Sequence, residues 1–344
     1  MGKIKRKVIV TGGCGYIGSH TIFQLIREGY DIVSIDDNSR SNLSNLNNIS
    51  NFYKNEIINH KINICNFKEL DEVINKYNNV EAIIHFAAFK SVSESEINPI
   101  LYLNNNINSL INICNIAIKY NIKKIIFSSS CTVYGDSLNP VDELSSILQP
   151  KSIYGLTKKT GEDILLNISK KFGIKVAILR YFNPVGADSS GVIGEIHHDS
   201  TTNLFPKLCN YIYDKKNIIQ IYGGDYNSSD GTCIRDYIDI EDISRGHILS
   251  LNYLNSISDK FTNYNKIFNL GSNEYYTVLQ ILQIFEKLSN TKIEYKIMPR
   301  RIGDVFKITC SNRLAKSILN WSPQFDIYKS VETSIKWTKK YNAY

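Results

Sequence analysis

The sequence has no C-x-x-C motif, and its seven cysteines (Cys14, Cys65, Cys114, Cys131, Cys209, Cys233 and Cys310) are an odd number. Both facts argue against a disulfide framework and a zinc ribbon. His197-His198 is a loop pair with no companion ligands at metal spacing, so no metal site is expected. No apolar run approaches membrane-spanning length. The basic start M-G-K-I-K-R-K is followed only by V-I-V before Thr11, too short for the apolar core of a signal peptide. The lysines are scattered among acids and form no stripe. The net charge of +7 therefore suits an anionic small ligand and not a nucleic acid. No repeat recurs at a solenoid period. These absences describe a soluble, reduced, cytoplasmic chain with no nucleic acid or membrane partner.

What is present is a regular alternation. The 344 residues suffice for a large core and two lobes, with ordinary shares of hydrophobic (43%) and charged (21%) residues. Strand-like K-V-I-V-T (7–11), D-I-V-S-I-D (31–36), E-I-I-N-H-K-I-N (56–63), E-A-I-I-H-F (81–86), K-I-I-F-S-S-S (124–130) and K-V-A-I-L-R-Y (175–181) are separated by helical stretches. The helices are expected over Tyr16–Arg27, Phe67–Tyr77, Pro99 to about Tyr120, and Ser152–Phe172. Asn42–Asn55 reads as an Asn-rich loop with a turn or two of helix. Such a succession predicts an α/β fold, a Rossmann-type doubly wound parallel sheet. After Asn183-Pro184 the pattern loosens into Gly-, Asp- and Ser-rich loops and short elements, read as a smaller C-terminal substrate-binding lobe.

T-G-G-C-G-Y-I-G (11–18) follows the first strand and opens the first helix. Gly12 permits a tight turn, Gly15 lets backbone approach a pyrophosphate, and Gly18 allows close helix–strand packing, while the helix N-terminus faces the anion. A lone glycine triplet is a weak signal, but here its strand and helix context is right. Asp36 ends the second strand, where a carboxylate can bond both ribose hydroxyls of NAD and repel the extra phosphate of NADP.

Ser130 closes the fifth strand at the carboxyl edge of the sheet, where ligands of doubly wound folds lie. In S-I-Y-G-L-T-K-K (152–159), Tyr154 and Lys158 stand one turn apart on one helix face. Alone, the pair would merely cover a helix surface. Beside Ser130 and a dinucleotide site, the three can converge on a nicotinamide. A tyrosine with a pKa near 10 is too weak a base at neutral pH. A nearby ammonium and an oxidised nicotinamide both favour the phenolate. Lys158 can also hold ribose hydroxyls, and Ser130 can orient a substrate hydroxyl.

With these motifs the sequence resembles the extended short-chain dehydrogenase/reductases, and among them the UDP-glucose 4-epimerase family, over essentially its whole length. The likeness is carried by T-G-G-C-G-Y-I-G-S-H, H-F-A-A-F-K-S-V-S-E-S (85–95), F-S-S-S-C-T-V-Y-G-D (127–136), Y-G-L-T-K, L-R-Y-F-N-P-V-G-A (179–187), D-G-T-C-I-R-D-Y-I (230–238) and P-R-R-I-G-D (299–304). The resemblance implies one tightly held NAD and interconversion of UDP-glucose and UDP-galactose through a 4-keto sugar. Tyr154, Lys158 and Ser130 are then catalytic. Besides them and Gly12, Gly15 and Gly18, the cofactor would meet Tyr16, Ile17, Asp36, Asp37, Asn38, Ser39, Arg40, Ser41, Asn63, Ile64, Phe86, Ala87, Ala88, Phe89, Lys90, Asn105 and Phe182. The UDP-sugar would meet Ser130, Tyr154, Asn183, Asn203, Leu204, Gln220, Ile221, Tyr222, Arg235, Arg301, Asp304 and Ile308. Arg235 and Arg301 offer forked donors to a diphosphate. Residues 1–182, with chain returning around 232–270, would bind NAD, and 183–344 mainly the UDP-sugar. The resemblance also implies a homodimer packed through the helices near 99–120 and 152–172, with Leu103, Ile107, Leu110, Leu165 and Ile168 as exposed apolar candidates.

Two positions depart from the family. Asn63 stands where an Asp is usual; its carbonyl oxygen can still bond the adenine amino group. Ile308 stands where relatives carry a bulky Tyr or a small Cys, which leaves N-acetylated substrates open. Other readings are 4-epimerisation of UDP-N-acetylhexosamines or UDP-pentoses, a nucleotide-sugar dehydratase or decarboxylase, and a non-catalytic NAD-sensing protein. A dehydratase needs acid–base carboxylates beside the catalytic Ser/Thr, and Cys131-Thr132-Val133 offers none. A sensor has no use for a phenolate.

Overall fold

A computed structural model describes residues 6–145, 150–196, 203–214, 218–258, 264–301 and 303–342. His197-His198 lies outside the described residues. The main sheet takes β1 (Lys7–Thr11), β2 (Asp31–Ile35), β3 (Asn59–His60), β4 (Val80–His85), β5 (Lys124–Ser130) and β6 (Lys175–Tyr181). Its first half carries helices α1 (Tyr16–Arg27), α2 (Ser44–Tyr53), α3 (Phe67–Ile74), α4 (Val92–Ile97), α5 (Pro99–Lys119) and α6 (Ile153–Phe172). The second half contributes β7 (Asn183–Val185), α7 (Leu204–Asp214), β8 (Ile219–Tyr222), β9 (Ile234–Asp239), α8 (Ile240–Ser256) and β10 (Asn265–Leu270). β11 (Tyr275–Thr277), α9 (Val278–Ser289), β12 (Tyr295–Met298), β13 (Lys307–Ile308), α10 (Arg313–Leu319) and α11 (Ile327–Tyr341) complete it. The seven-stranded sheet is parallel in the order β10-β6-β5-β4-β1-β2-β3, so the chain returns from the lobe to supply an edge strand.

The period of two along β1 explains the two-layer cover: Val8 and Val10 enter one apolar cluster and Ile9 the other, each fully buried. A third cluster, with Phe205, Ile221 and Phe285, fills the lobe. Ser152 caps α6 by accepting from Gly155 N at 3.1 Å. Gly173, in left-handed conformation with φ 65°, ends the helix. A Cβ on Gly161 would lie 2.8 Å from the Phe127 ring, so only glycine lets α6 sit this close to β5. That close approach brings Tyr154 and Lys158 to the end of β5.

Several expectations are corrected. The third strand shrinks from 56–63 to Asn59–His60, because only β2 is available to pair with it at the sheet edge. The Asn-rich stretch forms a continuous ten-residue helix, since Leu46 and Ile49 share a face and bury against the core. The second half holds long helices as well as short elements, α8 and α11 having 17 and 15 residues. Leu110 and Leu165 are fully buried against the sheet, so neither is an exposed apolar candidate; Leu103, Ile107 and Ile168 are half-buried. On α5 the exposed apolar side chains are Ile100, Leu101, Ile111 and Ile118, and on α6 Leu156 and Phe172. Among the described residues no helix is long and apolar enough to cross a membrane.

Candidate active site

One cavity of about 1210 Å³ runs along the carboxyl ends of β1, β4, β5 and β6 into the lobe, and every candidate site residue named from the sequence lines it. At the β1 end, Gly12 adopts φ 70°, and a Cβ there would lie 2.8 Å from Ala87 N. A Cβ on Gly18 would run into Gly12 O. Both approaches leave room only for glycine. Gly15 is the N-cap of α1, whose first turn holds no acidic residue, so its free N–H groups are open to an anion. The Asp36 carboxylate accepts from Cys14 N (3.1 Å), Asn38 N (2.9 Å) and Ser41 Oγ (2.9 Å), and burial raises its pKa. A nucleotide with a pyrophosphate and a free ribose diol fits this donor set.

Neighbouring candidates are partly committed to the protein. Asn63 Oδ1 accepts from Cys65 N at 2.8 Å. That bond occupies one of its two acceptor positions. Arg40 spends its fork on Glu94 (2.6 and 3.1 Å) and stacks on the Phe89 ring. Asp37 closes a local turn on Ser39. Lys90 faces Glu195 at 3.5 Å, and Tyr16 donates to Gly186 O at 2.5 Å.

At the centre, Lys158 Nζ donates to Ser128 O at 2.8 Å and lies 5.7 Å from the Tyr154 ring centroid. Burial pushes the Lys158 ammonium down to about 7, opposed by the Glu162 charge. Burial raises the Tyr154 phenol well above its usual value, while a Ser130 hydrogen bond pulls the other way. Within the protein alone, without the charge of a nicotinamide, desolvation outweighs what favours the phenolate. Ser130 Oγ accepts from Thr132 N (3.2 Å) and Thr132 Oγ1 (3.0 Å).

In the lobe, Arg235 is buried. Its guanidinium donates to Ile234 O (3.0 Å), Phe306 O (3.2 Å) and Asp304 Oδ1 (2.7 Å). Part of the five-donor fork offered to a diphosphate is thus already engaged. Arg301 stands 3.8 Å over the Tyr222 ring. Ile308 is 2% exposed and pairs with Arg235 across β13 and β9.

Sequence reasoning missed several residues. Asn106 grips the Phe89 backbone from both sides (2.9 and 3.1 Å) and donates to Thr157 Oγ1 (3.0 Å), tying the 86–90 loop to α6. Nothing in an Asn-rich helix distinguishes it. The buried Glu162–Arg180 pair (2.7 and 2.9 Å), joined by Ser129 and Tyr134, sits one turn behind Lys158. Its signal was Glu162 four residues after Lys158. Lys207, four residues after Asn203, also lines the cavity; burial and then the Arg301 charge lower its pKa.

A parallel doubly wound sheet with a glycine turn at one end of a cleft and a Ser, Tyr and Lys at its centre defines a dinucleotide-dependent enzyme of the dehydrogenase/reductase class. Residues 8–271 match the family described as NAD dependent epimerase/dehydratase family, and the chain belongs to it. It is 38% identical over 98% of its length to the UDP-glucose 4-epimerase of Dictyostelium discoideum, covering 97% of that protein. It is 37% identical to the bifunctional protein GAL10 of Pachysolen tannophilus, spanning 97% of this chain and 49% of that relative's length. The crystal structure of UDP-glucose 4-epimerase from Bifidobacterium longum in complex with NAD+ and UDP superposes with a TM-score of 0.92 at 33% identity, covering 97% of this chain and 98% of that one.

Proposed function

We propose that this chain is an isomerase that interconverts UDP-glucose and UDP-galactose by inverting C4, using a tightly bound NAD. The observation that carries it is the continuous cavity joining the glycine turn, the Ser130–Tyr154–Lys158 set and the lobe cations. Relatives and the superposed structure bearing the 4-epimerase name support it. When bound, NAD supplies the hydride acceptor at C4 and a positive charge that favours the phenolate. Tyr154 takes the proton from the sugar 4-hydroxyl and later returns it. Lys158 holds ribose hydroxyls, and Ser130 donates to the reacting oxygen. Arg235, Arg301 and the Asn183 and Asn203 amides hold the UDP while the sugar turns, so binding energy sits on the part that does not react. Residues 1–182, with the return through 232–270, carry the NAD, and 183–344 mainly the UDP-sugar.

The cytoplasm suits a chain whose seven cysteines are all free. A homodimer through α5 and α6 would cover Ile100, Leu101, Ile111, Ile118 and Leu156; a monomer by light scattering at micromolar concentration contradicts it. The function is tested by incubating purified protein with UDP-galactose and no added cofactor. Formation of UDP-glucose is expected, and no conversion, or conversion only after adding NADP, refutes the reading.

A further inference from the structure

β1 lies between β4 and β2 in the sheet, so the chain leaving β2 and the chain leaving β4 flank the glycine turn on either side. A bidentate ion pair joins these two flanks. Arg40, beyond β2, donates to Glu94 of α4 through both terminal guanidinium nitrogens, at 2.6 Å to Oε1 and 3.1 Å to Oε2. The Glu94 end is anchored. Ser91 caps α4 by accepting from Glu94 N at 3.3 Å. The buried Tyr102 of α5 donates to Glu94 Oε2 at 2.9 Å and accepts from Ser91 N at 3.0 Å. The Arg40 guanidinium also lies 4.7 Å over the Phe89 ring, which packs on Tyr102 and whose backbone Asn106 holds. An isolated ion pair with side chains 51% and 27% exposed would contribute little, but a bidentate pair set in a network is the exception. Arg40, Phe89 and Glu94 line the same cavity as Gly12, Gly15 and Asp36.

We propose that the Arg40–Glu94 pair is a strap across the cofactor cleft that slows the release of NAD, and that Arg40 acts through Glu94 and not by bonding the nucleotide. A dinucleotide seated on the glycine turn lies beneath this bridge and leaves when the pair opens. Removing either partner opens the strap equally. A guanidinium that bonded the nucleotide directly would instead be freed, not lost, when Glu94 is removed. The inference rests on NAD being the resident cofactor.

The test reads NAD exchange and not turnover. Purified holoprotein is mixed with excess deuterium-labelled NAD, at a temperature where the wild type exchanges measurably, and the bound nucleotide is followed by mass spectrometry. Arg40→Met removes the fork. Glu94→Gln keeps the shape and the acceptor for Tyr102 but removes the charge. Each is expected to speed exchange about fivefold, and the double variant no more than either alone. Raised salt should speed exchange in the wild type and change the double variant little. Unchanged exchange in both single variants, additive effects in the double variant, or faster exchange in Arg40→Met alone overturns the strap, the last being what direct contact predicts. The NAD content of the denatured wild type is measured separately: protein without NAD overturns both the strap and the cofactor reading, whereas NAD present with unchanged exchange overturns the strap alone.

Discussion

At the β1 end of the cavity, the lining is mostly backbone: Gly12 and Gly18 packed against main chain, the open N-terminus of α1, and the carboxylate of Asp36. At the lobe end it is built from side chains contributed by positions scattered from Asn183 to Ile308: two guanidiniums, an ammonium, amides and an isoleucine. Such a cradle has little that can adjust, since a Cβ on Gly12, Gly15 or Gly18 meets main chain. A side-chain cradle can be retuned one residue at a time. The cofactor end should therefore fail abruptly on substitution, whereas the lobe should change its preference by degrees.

The largest effect belongs between the two ends. Tyr154→Phe keeps the ring and removes the proton acceptor; a loss of turnover of order 10² or more is expected, with NAD still present in the purified protein. Gly18→Ala probes the rigid end. Its Cβ would be driven into Gly12 O, so the turn must shift. Overpacking of that kind costs about 1–3 kcal/mol, and NAD content after purification should fall several-fold or more. A fully loaded Gly18→Ala protein would break the contrast between the ends.

The lobe should respond more mildly. Ile308 is β-branched, stiff and buried beside Arg235, so the wild type is expected to prefer UDP-glucose and UDP-galactose over N-acetylated sugars. Ile308→Cys should raise N-acetyl activity relative to the plain hexose by roughly tenfold, about what a few missing methyl groups provide. Ile308→Tyr should abolish it. An unchanged ratio in both variants means that Ile308 does not gate the pocket. The smallest effect is predicted for Lys207→Met: KM for UDP-galactose rises about threefold with kcat kept, and the salt dependence of KM weakens, as loss of one half-buried cation implies. Equal salt dependence in variant and wild type would mean that Lys207 does not act on the UDP-sugar.

The same contrast decides what the sequence made legible. The glycine turn, Asp36 and the Tyr154–Lys158 pair are local patterns with fixed spacing, and the structure brings them to one cavity. The limits of β3 and α2 were misread because edge pairing and one buried helix face, not composition, determine them. Leu110 and Leu165 looked exposed because a helix pattern shows which residues share a face but not what that face meets. The partners of Arg235, Asp304 and Phe306, were not legible because they lie far along the chain. Asn106 gave no signal because asparagines surround it. What was missed depends on long-range partners, which no local period encodes.

The central claim is inversion at C4 within one site. UDP-galactose carrying deuterium at C4 tests it most directly, with the protein used as purified and no cofactor added. The account predicts UDP-glucose with the deuterium still at C4. Product that has lost the label to water would contradict it.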